Sequence, residues 1–211
     1  MTRRAINLRK LQEVAPRGPL RHPIFAWLGC RPVWGQHTAA EQEALMKRAR
    51  TSSQIVEIGV AEGASAAKLR EAMPQSATLW LIDPFHLSRV PGINATKRAA
   101  HKVVENHRNG SVVWIERFSF EAVTDWNHKI DFLFLDGDHS DKGIQRDWDA
   151  WHSFVVTGGI VAFHDAAVFP GGWTAPDWGP VKLVNRLFRH PGSPEWKIVK
   201  EVDSLVMVQR L

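Results

Sequence analysis

Residues 132–143 read FLFLDGDHSDKG: an apolar run that ends abruptly in Asp136, Asp138 and His139. Further on, GIVAFHD ends in the same way at His164 and Asp165. Carboxylates delivered to the ends of buried strands are costly unless they are paired or hold a metal. Asp136 and Asp165 close what read as neighbouring strands, so their carboxylates should converge. Two carboxylates, with waters and substrate oxygens, are enough to hold Mg2+, which keeps several non-protein ligands. His139 stands three residues after Asp136, on the turn above the same spot. An imidazole with its ordinary pKa near ~6.5 suits a general base at neutral pH. His164 is expected to face the opposite side of its strand and to be structural. Asp138 and Asp141 are expected to shape the turn or begin the next helix.

A second group lies earlier, in VEIGVAEGASA. Gly59 and Gly63 let the backbone turn tightly and approach a ligand closely. The helix that follows aims its N–H groups and positive dipole end at the same place, which favours an anionic group. Ser65 adds a hydroxyl there. Asp83 ends the next apolar run, 20 residues beyond Gly63. An acid at that position can accept hydrogen bonds from the hydroxyls of a ribose. The expected ligand therefore carries a ribose and an anionic group. A dinucleotide would satisfy both, but its fingerprint requires G-x-G-x-x-G, and Ala61 stands where the middle glycine would be.

These residues need elements to position them. Thr38-Ala39-Ala40-Glu41 forms a capping box, and its helix should run to about Arg50. Strands are expected at 54–60, 77–83, 111–118, 130–136 and 159–165. Helices are expected at 64–73, 93–109, 140–155 and 181–190. Pro74 and Gly110 stop the first two of these, and Gly158-Gly159 closes the third. WKIVKEVDS and LVMVQRL should pair antiparallel at the end. Apolar strands alternating with helices indicate an α/β fold with a mostly parallel, doubly wound sheet. In such sheets ligands bind beyond the carboxyl ends of the strands, where every group named above falls.

The spacing E-x-G-x-x-x-G-x-S over Glu57–Ser65 resembles motif I of class I S-adenosylmethionine-dependent methyltransferases. The resemblance covers about residues 38–211. It implies a Rossmann-like seven-stranded sheet with a reversed last strand. It also implies that Gly59, Gly63 and Ser65 meet the methionine part of the cofactor and that Asp83 binds its ribose. Ser119 matches a position beside the adenine, and Glu57 and Asp136 belong to the same cofactor-binding set. D-x-x-H followed by a strand-ending Asp resembles the metal-dependent O-methyltransferases. LDGDHS and GGIVAFHDA are most similar to the macrolide-sugar group, the macrocin and mycinamicin enzymes, which have histidine where catechol-type enzymes have lysine. That implies an O-methyltransferase using S-adenosylmethionine and Mg2+, with Asp136 and Asp165 on the metal and His139 as base. Its acceptor would be a small molecule or oligosaccharide bearing a sugar hydroxyl, as in polysaccharide precursors. Ala166 departs from the catechol pattern, where an asparagine ligand stands, which leaves a third protein ligand open. Glu62 could swing in to fill that place, but an acid in a glycine-rich turn is more often only solvated.

The charge is placed unevenly. Arg3, Arg4, Arg9, Lys10, Arg17, Arg21 and Arg31 stand against Glu13 alone in the first 31 residues, so this stretch accounts for the whole net charge of +5. Residues 1–37 thus read as a basic helical arm before a domain at 38–211. Such an arm could meet an acidic substrate, phosphates or a partner subunit in a homodimer. A nucleic-acid role is not expected, because the body has no basic stripe and no zinc-finger or RNP-type spacing. No apolar run approaches the ~20 residues of a membrane span. MTRRAINLRKLQEV lacks the apolar stretch of a secretory signal. Cys30 is the only cysteine, in keeping with a cytoplasmic protein. Two other functions compete. Asp136-Gly137-Asp138 is also the D-x-D of metal-dependent nucleotide-sugar glycosyltransferases, and the arm could serve a non-catalytic binding protein. The loop VFPGGWTAPDWGP (168–180) offers Trp173 and Trp178 as mobile faces for a sugar ring.

Overall fold

The computed structural model describes residues 22–86, 89–90 and 93–211. The part of the basic arm up to Arg21 lies outside the described residues. Seven strands form one sheet: β1 (Gln54–Ile58), β2 (Thr78–Ile82), β3 (Ser111–Ile115), β4 (Ile130–Leu135), β5 (Val155–Phe163), β6 (Trp196–Val202) and β7 (Leu205–Arg210). Their order is β3-β2-β1-β4-β5-β7-β6. Neighbours among the first five strands are parallel. β7 runs antiparallel to both β5 and β6. The direction of winding reverses between β1 and β4, which is the place where such sheets open a crevice.

Among the described residues seven α-helices accompany the sheet: α1 (His22–Leu28), α2 (Ala39–Ala49), α3 (Ala64–Ala72), α4 (Ala95–Glu105), α5 (Ser119–Ala122), α6 (Asp141–Trp151) and α7 (Gly179–Val184). The central strands β1, β4 and the second half of β5 are buried on both faces, whereas the edge strands β3 and β6 are largely not. Ile55, Leu79, Leu81, Phe132 and Phe134 pack on one side against Leu45, Leu69 and Val104 of α2, α3 and α4. Val56, Leu133, Leu135 and Val161 pack on the other against Ile144, Trp148 and Leu183 of α6 and α7. This is why the strands read as apolar runs and the helices as amphipathic.

The local signals place the helix starts. The Thr38 hydroxyl accepts from Glu41 N at 3.1 Å while Glu41 accepts from Thr38 N at 2.8 Å, closing the capping box of α2. Ser140 caps α6 by accepting from Gly143 N at 3.0 Å, which releases the chain from the Asp136–His139 turn at a fixed angle. Asn94 caps α4, so that helix begins at Ala95 rather than at 93, and residues 93–94 instead pair with 89–90. Gly158-Gly159 does not close a helix. α6 ends at Trp151, and β5 already starts at Val155 and runs through both glycines. Gly158 has φ +80°, and the β4–β5 register slips between Ile130 and Phe132, so the pair serves a strand irregularity. α1, which falls within the stretch expected as a helical arm, docks on α4: Lys102 Nζ donates to Trp27 O at 2.8 Å and Arg98 lies 4.6 Å over the Trp27 ring. Among the described residues no helix is long and apolar enough to cross a membrane.

Candidate active site

A cavity of about 1330 Å3 opens at the carboxyl ends of β1, β2 and β4. Four of the residues expected to bind the cofactor line it: Gly59, Asp83, Ser119 and Asp136. Gly59 must be glycine. Its φ is +89°, and a Cβ there would lie 2.1 Å from Asp136 O. The tight turn therefore brings the ends of β1 and β4 together. Asp83 braces the same turn. Its Oδ2 accepts from Val60 N and Ala61 N, both at 2.9 Å, and its Oδ1 from Phe85 N at 2.7 Å. A carboxylate offers about four acceptor sites, so one is left for a ribose hydroxyl.

Three residues of the set do not reach the wall. Gly63, with φ +83°, is where α3 crosses α4, and a Cβ would stand 2.9 Å from Ala100 Cα. Its glycine identity follows from helix packing. Ser65 donates a short hydrogen bond to Glu57 behind the turn. Glu57 is fully buried, and its Oε2 has no hydrogen-bond partner. Burial, outweighing the Ser65 hydrogen bond, pushes its carboxyl well above the usual range. Ser119 likewise donates to buried Asp147, whose carboxyl burial also raises.

The strand-end acids do converge, and His139 stands between them. Its Nε2 is 3.2 Å from Asp136 Oδ1 and its Nδ1 is 3.0 Å from Asp165 Oδ2. Burial disfavours the imidazolium, but the two carboxylates prevail and raise its pKa to about 9. Burial also opposes the charged form of Asp136, yet His164 and His139 hold that carboxyl well below its usual range. Asp165 has φ +54°, which breaks the alternation of β5 just past its end. His164 continues the face of β5 that carries Ile160 and Ala162, the face on which β4 delivers Asp136, so it is not set apart from the site. The turn at Asp165 brings that carboxylate round to the same place. Its Nδ1 lies 2.9 Å from Asp136 Oδ1, and its Nε2 lies 3.6 Å from Asp165 Oδ1. Glu62 is not solvated either: it is 5% exposed and accepts from Trp34 N at 2.7 Å. Trp173 Nε1 donates to Asp165 Oδ1 at 2.7 Å while its ring stays exposed. Asp138 turns to Ser140 N at 2.9 Å and shapes the loop. Ala166 is buried in the core and offers no donor.

The segment before α2 contributes residues that sequence reasoning missed. Arg31, Trp34 and Gln36 line the large cavity. His37 Nε2 approaches Asp136 Oδ2 to 3.3 Å. The visible signal was small: a histidine immediately before a helix cap, where the chain must turn inward. Past His139, a second cavity of about 420 Å3 is lined by Gln36, Asp165, Asp177, Trp178 and Lys182, among others. The two carboxylates suit Mg2+, but the imidazoles of His37 and His164 facing Asp136 do not match the oxygen shell that Mg2+ takes.

Comparison with known proteins agrees with this architecture. The O-methyltransferase TomG from Streptomyces achromogenes, involved in tomaymycin synthesis and solved with S-adenosylmethionine, superposes with a TM-score of 0.61 at 15% identity, over 96% of this chain and 94% of that one. An O-methyltransferase from Bacillus cereus, solved with S-adenosylhomocysteine, gives 0.60 at 12% identity over 96% of each chain. A methyltransferase from Geobacter sulfurreducens gives 0.58 at 15% identity, over 96% of this chain and 94% of that one. At these identities the likeness establishes the fold. The family model described as a methyltransferase domain matches residues 56–166, from the middle of β1 to just past Asp165. The chain therefore belongs to the methyltransferase-domain family.

Proposed function

We propose that the protein is an S-adenosylmethionine-dependent O-methyltransferase acting on a hydroxyl of a sugar or sugar-containing small molecule. One observation carries this reading. A cavity of about 1330 Å3 has the ribose-type acid Asp83 on its wall and reaches Asp136, which contacts His139; the smaller cavity lies on the far side of that histidine. His139 thus separates a space large enough for a nucleoside cofactor from a space for an acceptor. The neighbouring structures solved with S-adenosylmethionine and S-adenosylhomocysteine support the choice of cofactor.

Asp83 would take one ribose hydroxyl, and the cavity floor at Gly59 would lie against the amino-acid part. Ser119, fixed by Asp147, would face the base. The cofactor supplies an electrophilic methyl group. Trp178 and Lys182 would orient the acceptor so that its hydroxyl meets His139, and holding both reactants in line removes much of the barrier. His139 would accept the hydroxyl proton on Nε2 or Nδ1, whichever nitrogen the acceptor reaches. Because the two carboxylates, against the effect of burial, raise its pKa to about 9, His139 can act as base only after releasing its own proton, which a dication beside the carboxylates would favour by offsetting their charge. Asp136 and Asp165 therefore supply the negative charge of a cation site as well, and a dication there would add Lewis-acid polarisation of the acceptor oxygen.

The test is methyl transfer from labelled S-adenosylmethionine to a panel of free and glycosidic sugars, with product analysis. Label should appear as a methyl ether on a sugar oxygen. Transfer to nitrogen or carbon, with every sugar hydroxyl untouched, would contradict the proposal.

A further inference from the structure

The groups around Asp136 make an unusual donor set. His37 and His164 present their rings to it from two different parts of the chain, the segment before α2 and the end of β5. Both side chains are deeply buried, at 4% and 1% exposure. Their ring centroids are 4.2 Å apart. One donor atom from each of His37, Asp136 and His164 can be chosen so that all lie within 4.8 Å of one another. Despite that crowding, Nδ1 of His37 lacks a hydrogen-bond partner, and its Nε2 lies 3.3 Å from Asp136 Oδ2 without the geometry of a hydrogen bond. Buried polar atoms are nearly always satisfied, and orphaned ones call for a ligand or an ion.

We infer that this cluster is a binding site for a nitrogen-preferring transition-metal dication of the Co2+, Ni2+ or Zn2+ class, held by His37, Asp136 and His164, rather than for Mg2+. The inference deepens the cation half of the proposed function and rests on that reading for its purpose, though not for its geometry. Imidazole suits Zn2+, Fe2+, Ni2+ and their neighbours, whereas Mg2+ takes hard oxygen ligands. His164 lies with one nitrogen at the site and the other facing two carboxylates beyond hydrogen-bond length. Nδ1 faces Asp136, while Nε2 points towards Asp165 Oδ1 at 3.6 Å and Glu41 Oε2 at 3.8 Å. A ligating histidine normally gives its other N–H to a carboxylate, which fixes its tautomer and orientation. In this arrangement Asp165 orients His164 and His139 instead of binding the ion directly. Glu41 is tied down in turn by Ser204 N at 2.8 Å and by Thr38 N through the capping box. The cap of α2 thereby becomes part of the metal site.

The experiment uses the full chain, stripped with chelator and titrated calorimetrically with Co2+, Zn2+, Mn2+ and Mg2+. Co2+ or Zn2+ should bind at one ion per chain, at least about tenfold more tightly than Mg2+. Co2+ should give the visible absorption of a nitrogen-ligated ion. His37→Ala and His164→Ala should each weaken Co2+ binding by on the order of 10–100-fold. Should a variant fail to fold, paramagnetic broadening of the wild-type histidine ring protons by Co2+ gives the same answer. Mg2+ binding as tight as Co2+, or unchanged Co2+ affinity in both folded variants, would overturn the inference. So would absence of any ion. S-adenosylhomocysteine binding is measured in parallel. Its retention in those cases would leave the methyltransferase reading standing, and its loss with the metal site intact would strike that reading alone.

Discussion

At the scale of single residues, Asp83 carries two tasks, and its substitution should show both. Three backbone N–H groups converge on its carboxylate. Asp83→Ala should lower stability by roughly 1–3 kcal/mol through those unsatisfied donors. It should also weaken S-adenosylhomocysteine binding in calorimetry beyond what the loss of folded protein explains. Unchanged affinity of the folded variant would leave Asp83 as a brace alone. His139→Ala should bind S-adenosylhomocysteine normally yet transfer methyl groups ~10²–10⁴-fold more slowly in a single-turnover assay, the usual cost of a missing general base. Glu57 predicts a pH effect. Its carboxyl is raised by burial, so above its unfolded pKa near ~4.3 the native state holds a proton that the unfolded chain has released. Stability must therefore fall as pH rises from there towards the folded pKa, and stay level beyond it. Glu57→Gln should remove that slope and be the more stable protein at neutral pH, as denaturant unfolding from pH 4 upwards would register. An unaltered slope would mean that Glu57 is charged in the native state.

At the scale of elements, the strands and most helices were legible because two-sided burial writes continuous apolar runs and because caps have chemical signatures. The strand-end acids were legible for the same reason: a charge that follows four apolar residues marks where a buried strand reaches a crevice. What escaped depends on contacts between distant parts of the chain. Nothing local tells that Asp165 adopts a left-handed conformation, which turns its carboxylate towards His139, or that the β4–β5 register sets His164 beside Asp136. Nothing local tells that Trp34 N would find Glu62, 28 positions away. Nor does anything local tell that α4 also demands a glycine at Gly63, where a Cβ would meet Ala100. Gly59 was read correctly as a tight turn, and the element it constrains is the β1–β4 pair. Gly59→Ala should accordingly cost roughly 1–3 kcal/mol or more, from left-handed strain and the clash with Asp136 O. A lowered midpoint in thermal unfolding would register it, and wild-type stability would show that the turn relaxes freely.

At the scale of the whole molecule, the segment from α1 to His37 joins the basic arm to the site. Pro23, Arg31, Trp34 and Gln36 all line the large cavity. Removing residues 1–20 should leave S-adenosylhomocysteine affinity unchanged, while removing residues 1–37 should weaken it and abolish Co2+ binding together. Equal affinity of both truncated proteins would detach this segment from the site. The account as a whole stands on the identity of the molecule in the large cavity. Its most direct test is calorimetry of the full chain with S-adenosylhomocysteine and, separately, with UDP-sugars. S-adenosylhomocysteine should bind at one per chain and UDP-sugars should give no heat of binding. Saturable binding of a UDP-sugar, with none of S-adenosylhomocysteine, would contradict it.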